Sequence, residues 1–337
     1  MMKKFSNKEK ISLSLAVWLA EDQYDHVADP MHISATALLK SPKQIVLAGR
    51  VPAPSPGTAI DDLMLEDISD RVSSAMGTAL HNGIENAWRH NYQQSLRDLG
   101  YPERVIERII LNPKPEDLVE NSIPVYLEKR VEKKLGPFRI SGKFDIVIDG
   151  QLDDYKSTGV YSFMTGTNDN KYRLQGSIYR WLNPELITNS FMNIQYIFTD
   201  WSKLRASIEA EKGYPKSRVV THLIELMSIE ETERWIKSKL QAVWDIKDLP
   251  ENKMPDCTPE DLWQKPAVYK YYKNPENTKR STANFDDYYL ANERLVADGS
   301  IGIIKEVAGQ VKACEYCAAF EVCQQKEIYL ANNMLVI

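Results

Sequence analysis

The chain has 337 residues, of which 43% are hydrophobic and 26% are charged, a composition that predicts a folded globular protein and excludes a disordered one. With 15 glycines and 17 prolines, collagen-like and low-complexity architectures are excluded as well. The net charge of -5 excludes a generally basic nucleic-acid coat, but it leaves room for a local basic channel, because the local field depends on where the charges lie.

The N-terminal segment predicts an amphipathic core helix rather than a signal peptide. Ile11, Leu15, Trp18 and Leu19 recur at helical spacing on one face. No apolar run approaches the roughly 20 residues that are needed to span a bilayer. We therefore expect a cytoplasmic, reducing environment and no membrane association.

Helices dominate the first hundred residues. Two short helices are predicted within 8–48, because the residue before a proline resists helix at Asp29–Pro30 and at Ser41–Pro42. Pro52–Gly57 is predicted to be a connector. A long helical region follows over 63–99 and is stopped by Gly100 and Pro102.

The middle of the chain changes to the β-branched and aromatic composition of strands. The predicted strands are Ile123–Leu127, Phe138–Ile148, Gln151–Lys156, Phe191–Thr199 and Val219–Met227. Helices are predicted at Lys171–Leu182 and Ser228–Trp244, and irregular structure past Leu249, ending in a cysteine cluster and a short helix. The expected fold is α+β or α/β, with an N-terminal helical segment (1–62), a core (63–248) and a C-terminal cysteine-bearing module (249–337).

A predicted hairpin places two acids and a lysine together. Asp149–Gly150 is the dipeptide that a two-residue type I′ turn prefers. If that turn forms, Asp145 lies opposite Asp154, with Cβ atoms about 4.5–5.5 Å apart. Lys156 points to the same face as Asp154, whereas Asp153 points to the opposite face and is excluded from the site.

Facing carboxylates repel unless a cation lies between them, and Mg²⁺ is typically bound by one or two carboxylates with water and phosphate. The lysine could then orient the attacking water or stabilise charge on the phosphate. The alternative from this segment alone is a solvated hairpin with ordinary surface ion pairs.

The arrangement of Asp145, Asp154, Tyr155 and Lys156 resembles the core of the PD-(D/E)XK nuclease superfamily. Residues 77–81, GTALH, resemble the G-x-x-x-H helix motif of its RecB-like exonuclease branch, and QGSIY at 175–179 resembles the Q-x-x-x-Y helix motif. The resemblance implies a restriction-endonuclease-like mixed central sheet flanked by helices. It covers residues 30–200 and the terminal cysteines.

The resemblance also implies roles for individual residues. Asp145 and Asp154 would hold Mg²⁺ or Mn²⁺ with His81 and the Tyr155 carbonyl, and Lys156 would orient the water. The remaining implied site residues are Glu85, a nearby acid, and Gln175 and Tyr179, which would brace the site or touch DNA phosphate. Without the resemblance, a lone histidine on an amphipathic helix, such as His81, is more often a packed or solvated side chain than a metal ligand, and Tyr179 could be a core residue.

Three cysteines, Cys314, Cys317 and Cys323, are clustered at metal-binding spacing, and Cys257 is the remaining candidate for a fourth ligand. Four thiolates accept either zinc or an iron–sulfur cluster, and buried unmetallated thiols are the third alternative. CRISPR-associated RecB-type exonucleases and AddB-type nuclease subunits end in a similar triple of cysteines that binds a 4Fe–4S cluster. Their fourth cysteine precedes a proline near the N-terminus, where this chain has Ser41 before Pro42, so we expect Cys257 to replace it.

The leading functional hypothesis is a metal-dependent DNA exonuclease that acts on DNA ends or single strands in recombination or repair, as in phages. The basic residues between Lys129 and Lys143 are a candidate phosphate-tracking patch, or else a solvated face, because Glu128 and Glu132 alternate with them. The sequence has no G-x-x-x-x-G-K-[ST] loop, so a helicase or a single-strand annealing protein would be a separate partner. The alternatives are a catalytically silent DNA-binding or assembly module and a zinc-stapled structural protein.

Overall fold

The computed structural model describes residues 5–21, 29, 31–52 and 66–336 and shows the mixed α+β architecture that the sequence predicts. The described helices are α1 (Leu13–Ala20), α2 (Ala35–Leu38), α3 (Pro42–Ala48), α4 (Val72–Asp98), α5 (Glu103–Ile106), α6 (Val160–Thr165), α7 (Asp169–Leu182), α8 (Lys203–Ile208), α9 (Ile229–Ile246), α10 (Tyr288–Ala297) and α11 (Gln325–Ala331). The described strands are β1 (Phe5–Ser6), β2 (His32–Ser34), β3 (Glu66–Asp67), β4 (Ile109–Leu111), β5 (Ile123–Leu127), β6 (Arg130–Leu135), β7 (Phe138–Lys143), β8 (Ile146–Ile148), β9 (Gln151–Thr158), β10 (Phe191–Phe198), β11 (Val219–Glu225), β12 (Val268–Tyr272), β13 (Ala283–Phe285) and β14 (Ile303–Val307).

The described chain forms two compact units. The first takes its residues from 1–39 and 54–238, and the second from 40–53 and 239–337. Helix α3 therefore belongs with the C-terminal third of the chain rather than with the helices on either side of it. Helix α9 passes from the first unit into the second at Ser238.

A six-stranded mixed sheet organises the first unit, with strand order β11-β10-β9-β8-β5-β4. Strands β9 and β10 are parallel, as are β4 and β5, and the remaining pairs are antiparallel. Strand β10 shows why the sheet forms, because Met192, Ile194, Tyr196 and Phe198 alternate along it and are all buried. Because every second residue is apolar, one face of the strand can pack in the core.

A second sheet in the first unit has the order β2-β7-β6. The prediction of one strand over Phe138–Ile148 is wrong, because Phe144 and Asp145 separate β7 from β8. Strand β7 pairs with β2 and β6, whereas β8 pairs with β5 and β9 in the larger sheet. The break matters because it places Asp145 at the point where the chain changes sheets.

The second unit contains a three-stranded antiparallel sheet, β13-β12-β14, with α10 packed beside it. The prediction of irregular structure past Leu249 is wrong for this stretch. Its strands have three to five residues and carry mixed polar and aromatic side chains, so their pattern is too short to be distinguished from a loop. The short helix at the C-terminus is present as α11.

The N-terminal predictions are confirmed in part. Helix α1 buries Leu19 completely but leaves Leu15 43% exposed, so the apolar face is narrower than predicted. The long helix begins at Val72, after a 3-10 turn over Ile68–Arg71. The predicted break at Pro30, the connector beyond Pro52 and residues 63–65 of the long helical region lie outside the described residues.

In the part of the chain that the structure describes, no helix is long and apolar enough to cross a membrane.

Candidate active site and cysteine cluster

The hairpin register is as predicted. Asp149 and Gly150 both have positive φ, 47° and 82°, and Ile148 pairs with Gln151. Glycine is required at the second position, because a Cβ there would also lie 2.2 Å from Thr188 Oγ1. Since Ile146 pairs with Asp153, Asp145 precedes β8 at the level of Asp154.

Asp154 and Lys156 form a buried ion pair on one face of β9. Asp154 is 2% exposed, and Lys156 Nζ lies 2.6 Å from its Oδ2. That oxygen nevertheless has no hydrogen bond of acceptable geometry within the described structure. A buried carboxylate oxygen with a cation beside it but no aligned donor is unusual in a folded protein and is an available ligand.

Burial governs the charge of this pair. Loss of hydration, helped by the nearby Asp145 carboxylate, raises the pKa of Asp154 to about 6 against the opposing effect of Lys156. Burial by itself would lower the pKa of Lys156, but the carboxylates of Asp154 and Asp145 outweigh it, so the pKa is raised. Lys156 is therefore a fixed positive charge rather than a base.

His81, from α4, joins the acids at the end of the sheet. Its Nδ1 lies 3.1 Å from Asp145 Oδ1, and its Nε2 lies 3.1 Å from the carbonyl oxygen of Tyr155. The Tyr155 amide donates to Asp145 Oδ2 at 3.0 Å. The hydrogen bond with Asp145 raises the pKa of His81. The structure thus brings three of the four predicted metal ligands into direct contact.

The donor chemistry fits a hard divalent cation. The carboxylates of Asp145 and Asp154 and the backbone carbonyl of Tyr155 supply the oxygen ligands that Mg²⁺ and Mn²⁺ prefer, and Asp154 Oδ2 has no aligned hydrogen-bond donor among the described residues. As the described side chains stand, no three His, Cys, Asp or Glu residues form a group that could hold a metal ion. The side chains of His81 and Lys156 contact these acids.

Glu85 follows His81 by one turn of α4 and pairs with Arg89. Both Glu85 and His81 line a small cavity of about 10 Å³ that Asp145 also lines. Glu128 lines the same cavity, and the sequence did not single it out as a site residue. Its amide donates to the Asp145 carbonyl at 2.9 Å, and its carboxylate pairs with Lys143. Only the pairing of β5 with β8, which is not local in sequence, places it there.

Tyr172 is a second neighbour that sequence analysis missed. Its ring centre lies 5.4 Å from Lys156 Nζ, and the side chain is 9% exposed. Tyr172 belongs to the first turn of α7, three residues before Gln175. An aromatic face at this distance holds a lysine charge in place.

Gln175 and Tyr179 are buried and bonded to each other. Gln175 Nε2 donates to Tyr179 Oη at 2.8 Å, and the two side chains are 9% and 5% exposed. A Cβ on Gly142 of β7 would lie 3.0 Å from the Tyr179 ring, so the helix packs directly on that strand. The pair therefore lies in the interface between α7 and β7.

Asp153 lies on the opposite face from Asp154, as predicted. Its carboxylate accepts hydrogen bonds of 2.8 Å from both Asn193 and Gln195 of β10. Burial raises the pKa of Asp153.

Three of the basic side chains between Lys129 and Lys143 have partners within the described structure. Arg139 pairs with Asp29 at 2.7 Å, Lys143 pairs with Glu128, and Lys133 lies over the ring of Trp181 at 4.2 Å. These contacts favour a solvated, ion-paired face over a phosphate-tracking patch.

The four cysteines meet in the second unit. Cys257, Cys314, Cys317 and Cys323 line one cavity of about 20 Å³. Burial raises the pKa of Cys257, Cys323 and Cys314, the last to about 11. Four thiols around one cavity are the donor set of a zinc or iron–sulfur centre, although their present positions are not those of ligands on one ion.

Cys257 is held at this cavity by two buried side chains. Ser41 Oγ lies 3.3 Å from its sulfur, and Gln325 bonds its backbone twice, accepting from the amide at 2.9 Å and donating to the carbonyl at 3.1 Å. Lys43, which also lines the cavity, is 4% exposed and pairs with Asp256 at 2.9 Å and Glu251 at 3.4 Å. Ser41, which precedes Pro42, is therefore a neighbour of Cys257 in space.

Comparison with known proteins adds two distant likenesses. No protein-family model matches the chain, and no curated protein matches it. A structure described as the crystal structure of SSO0001 aligns over 73% of this chain and 96% of its own, with 16% identity and a TM-score of 0.41. The crystal structure of a phage-related exonuclease from Haemophilus somnus 129PT aligns over 66% and 96%, with 14% identity and a TM-score of 0.28. At these scores neither likeness carries an argument about this chain.

Proposed function

We propose that this protein is a metal-dependent DNA exonuclease that hydrolyses phosphodiester bonds in DNA ends or single strands. The observation that carries the proposal is the constellation of Asp145, Asp154 and Lys156 at one end of a mixed sheet, with His81 in contact with Asp145. Two acids that can hold a divalent cation, with a charged lysine beside one of them, are suited to phosphoryl chemistry.

Asp145, Asp154, the Tyr155 carbonyl and His81 would hold Mg²⁺ or Mn²⁺. Such an ion supplies a water of lowered pKa and polarises a phosphate oxygen. Lys156 remains charged, so it can orient that water and stabilise the negative charge that develops on the phosphate oxygens. Tyr172 limits the movement of the lysine head group, and the Gln175–Tyr179 pair fixes α7 on β7.

The proposal extends to the cysteines. Cys257, Cys314, Cys317 and Cys323 would hold a 4Fe–4S cluster, with zinc as the alternative, and Ser41 and Gln325 support this by holding Cys257 at the shared cavity. The role would be structural, because metal-binding free energy becomes folding free energy for the segments that supply the ligands. Unwinding or annealing of the DNA would come from a separate partner protein, in phage recombination or in repair.

The test is a nuclease assay with 5′- and 3′-labelled single- and double-stranded DNA, in Mg²⁺ or Mn²⁺ and in EDTA. Release of mononucleotides or short products with either metal, its loss in EDTA and its loss in Lys156→Ala would support the proposal. DNA binding without metal-dependent release would instead indicate a catalytically silent DNA-binding module. If the protein neither binds nor cleaves DNA, the remaining alternative is a structural protein stabilised by a bound metal.

A further inference from the structure

The sheet of the second unit places two lysines directly opposite each other. In the antiparallel register, Lys270 of β12 pairs with Lys305 of β14. Cross-strand neighbours share a face, and like charges in these positions destabilise a sheet. Lys305 Nζ contacts Thr278 Oγ1 at 3.4 Å and lies 5.8 Å from the centre of the Tyr272 ring, and neither lysine forms an ion pair with any described residue.

The face that carries this pair has no acid. The register assigns to it, besides the two lysines, only uncharged residues, namely Val268, Tyr272, Asn284, Ile303 and Val307. Lys279 and Arg280 are exposed on the β12–β13 connection, which reaches this face through Thr278. Residues 265–280 contain five basic side chains, Lys265, Lys270, Lys273, Lys279 and Arg280, against one acid, Glu276, in a chain whose net charge is -5. Of the five, Lys273 pairs with Asp298 at 3.7 Å.

The other face of the sheet is arranged differently. Tyr271 is fully buried there and donates from its hydroxyl to Asp298 at 3.0 Å, and the Tyr269 ring packs on Tyr288 of α10. Four acids of this part of the chain, Asp286, Asp287, Glu293 and Asp298, lie in or beside that helix, and Glu306 of β14 pairs with Tyr269 on the same face. The small sheet therefore separates a basic open face from an acidic, helix-covered one.

We propose that the open face of the β13-β12-β14 sheet binds the phosphate backbone of DNA, an inference that rests on the proposed nuclease function. Charge complementarity selects the occupant, because a closely spaced polyanion relieves the repulsion between Lys270 and Lys305. The neighbouring Ser281, Thr282 and Asn284 are the side-chain types that accompany Lys and Arg in phosphate contacts. Tyr272 is 7% exposed, so it offers no stacking platform to a base, and the proposed contacts are with phosphate.

The experiment measures binding of a fluorescent 30-nucleotide single strand by anisotropy, with the full chain in EDTA from 50 to 300 mM salt. The test variant combines Lys270→Gln with Lys305→Gln. Each lost phosphate contact should reduce the slope of log affinity against log salt by about 0.7, so about 1.4 for the pair. The matched control, Lys203→Gln with Lys212→Gln, removes the same charge from exposed lysines of the first unit and should leave the slope near that of the wild type.

A thermal melt guards against misfolding as an explanation. Because the two lysines repel, the test variant should unfold at the same temperature as the wild type or at a higher one, while its DNA affinity falls. Suppose that the wild type binds and cleaves DNA but that the test variant has the same salt slope as the wild type. That result would overturn the inference and leave the proposed function standing. If the test variant loses binding to phosphatidylglycerol vesicles but binds DNA as the wild type does, the inference is overturned as well, because the face would then bind a membrane. Absence of any DNA binding or cleavage by the wild type would instead defeat the proposed function.

Discussion

The carboxyl group of Asp154 is the most constrained charge in the first unit. It is buried, one of its oxygens has no aligned donor among the described residues, and its partner Lys156 is held near the Tyr172 ring. Breaking a buried ion pair by removing one partner costs more than the pair itself contributes, because the remaining charge is left without compensation. Substitutions at the two residues should therefore have different consequences for metal binding, rate and stability.

Lys156→Ala should abolish cleavage while retaining metal binding, because the lysine contributes a positioned charge and is not a ligand. The expected loss in rate is about 10²-fold or more. Rates on labelled DNA and calorimetric Mn²⁺ titration separate the two effects. Near-normal turnover in this variant would remove Lys156 from the mechanism.

Asp145→Ala and Asp154→Ala should lose metal binding as well as turnover, since each removes an oxygen donor. Asp153→Asn is the control, because an amide can keep one of the two hydrogen bonds with Asn193 and Gln195 on the other face of β9. Mn²⁺ titration of the three variants makes the comparison. Loss of metal binding in the Asp153 variant, with binding retained by the Asp154 variant, would contradict the assignment.

At the scale of elements, the β8–β9 turn fixes which residues face each other in the site. Gly150→Ala should destabilise the protein by about 1–3 kcal/mol, because a side chain is strained at this positive φ and the added carbon collides with Thr188. Gly83→Ala is the matched control. Its site in α4 is open, and alanine there should stabilise by roughly 0.5–1 kcal/mol.

Urea unfolding midpoints of the two glycine variants measure this difference. Equal midpoints would show that the turn does not constrain the hairpin.

The short strands β1 and β3 are joined through one carboxylate. Asp67 accepts hydrogen bonds from the Lys8 amide, the Ser69 amide and the Ser6 hydroxyl, and these lower its pKa well below the usual range. The Asp67 carboxylate therefore contributes fully to stability above its pKa in the unfolded state, about 3.9. This contribution is lost as the pH falls from there toward the pKa of Asp67 in the folded state.

Asp67→Asn should accordingly flatten the fall in melting temperature between about pH 5 and pH 2. Asp70→Asn, at an exposed position of the same turn, should leave the wild-type profile. Parallel pH profiles for the wild type and Asp67→Asn would exclude this carboxylate as a source of acid sensitivity.

Local chemistry explains which elements could be predicted. The Asp149–Gly150 turn determines its own geometry within four residues, so the register of Asp145, Asp154 and Lys156 follows from the sequence. The position of Glu128 depends on β5 pairing with β8, and the contact of His81 with Asp145 depends on how α4 packs. Such contacts depend on tertiary packing, which no local pattern records. Strands β12 to β14 were missed because they are short and lack an apolar alternation.

At the scale of the whole molecule, the cysteine cavity joins segments that are far apart in the chain. Cys257→Ser should release the proposed metal and expose the C-terminal segment to proteolysis, because the ligands no longer close around one centre. Metal analysis of protein purified without oxygen should give about four irons per chain for the cluster, or one zinc for the alternative.

Ser41→Ala is the control for the cysteine variant, since it removes the neighbouring hydroxyl and leaves all four thiols. It should retain the wild-type metal content. Unchanged metal in Cys257→Ser would exclude Cys257 as a ligand, whatever metal is found.

The contact between Ser41 and Cys257 has a consequence for how such a site can change over evolutionary time. The two positions are 216 residues apart in sequence, yet their side chains meet beside the same cavity. A chain with cysteine at both would have a spare thiol, so either could later be lost without emptying the site. If the proposed metal is bound, a ligand could thus move between these two distant positions of the sequence through intermediates that all keep four sulfurs, and Ser41 occupies the place where that exchange can happen.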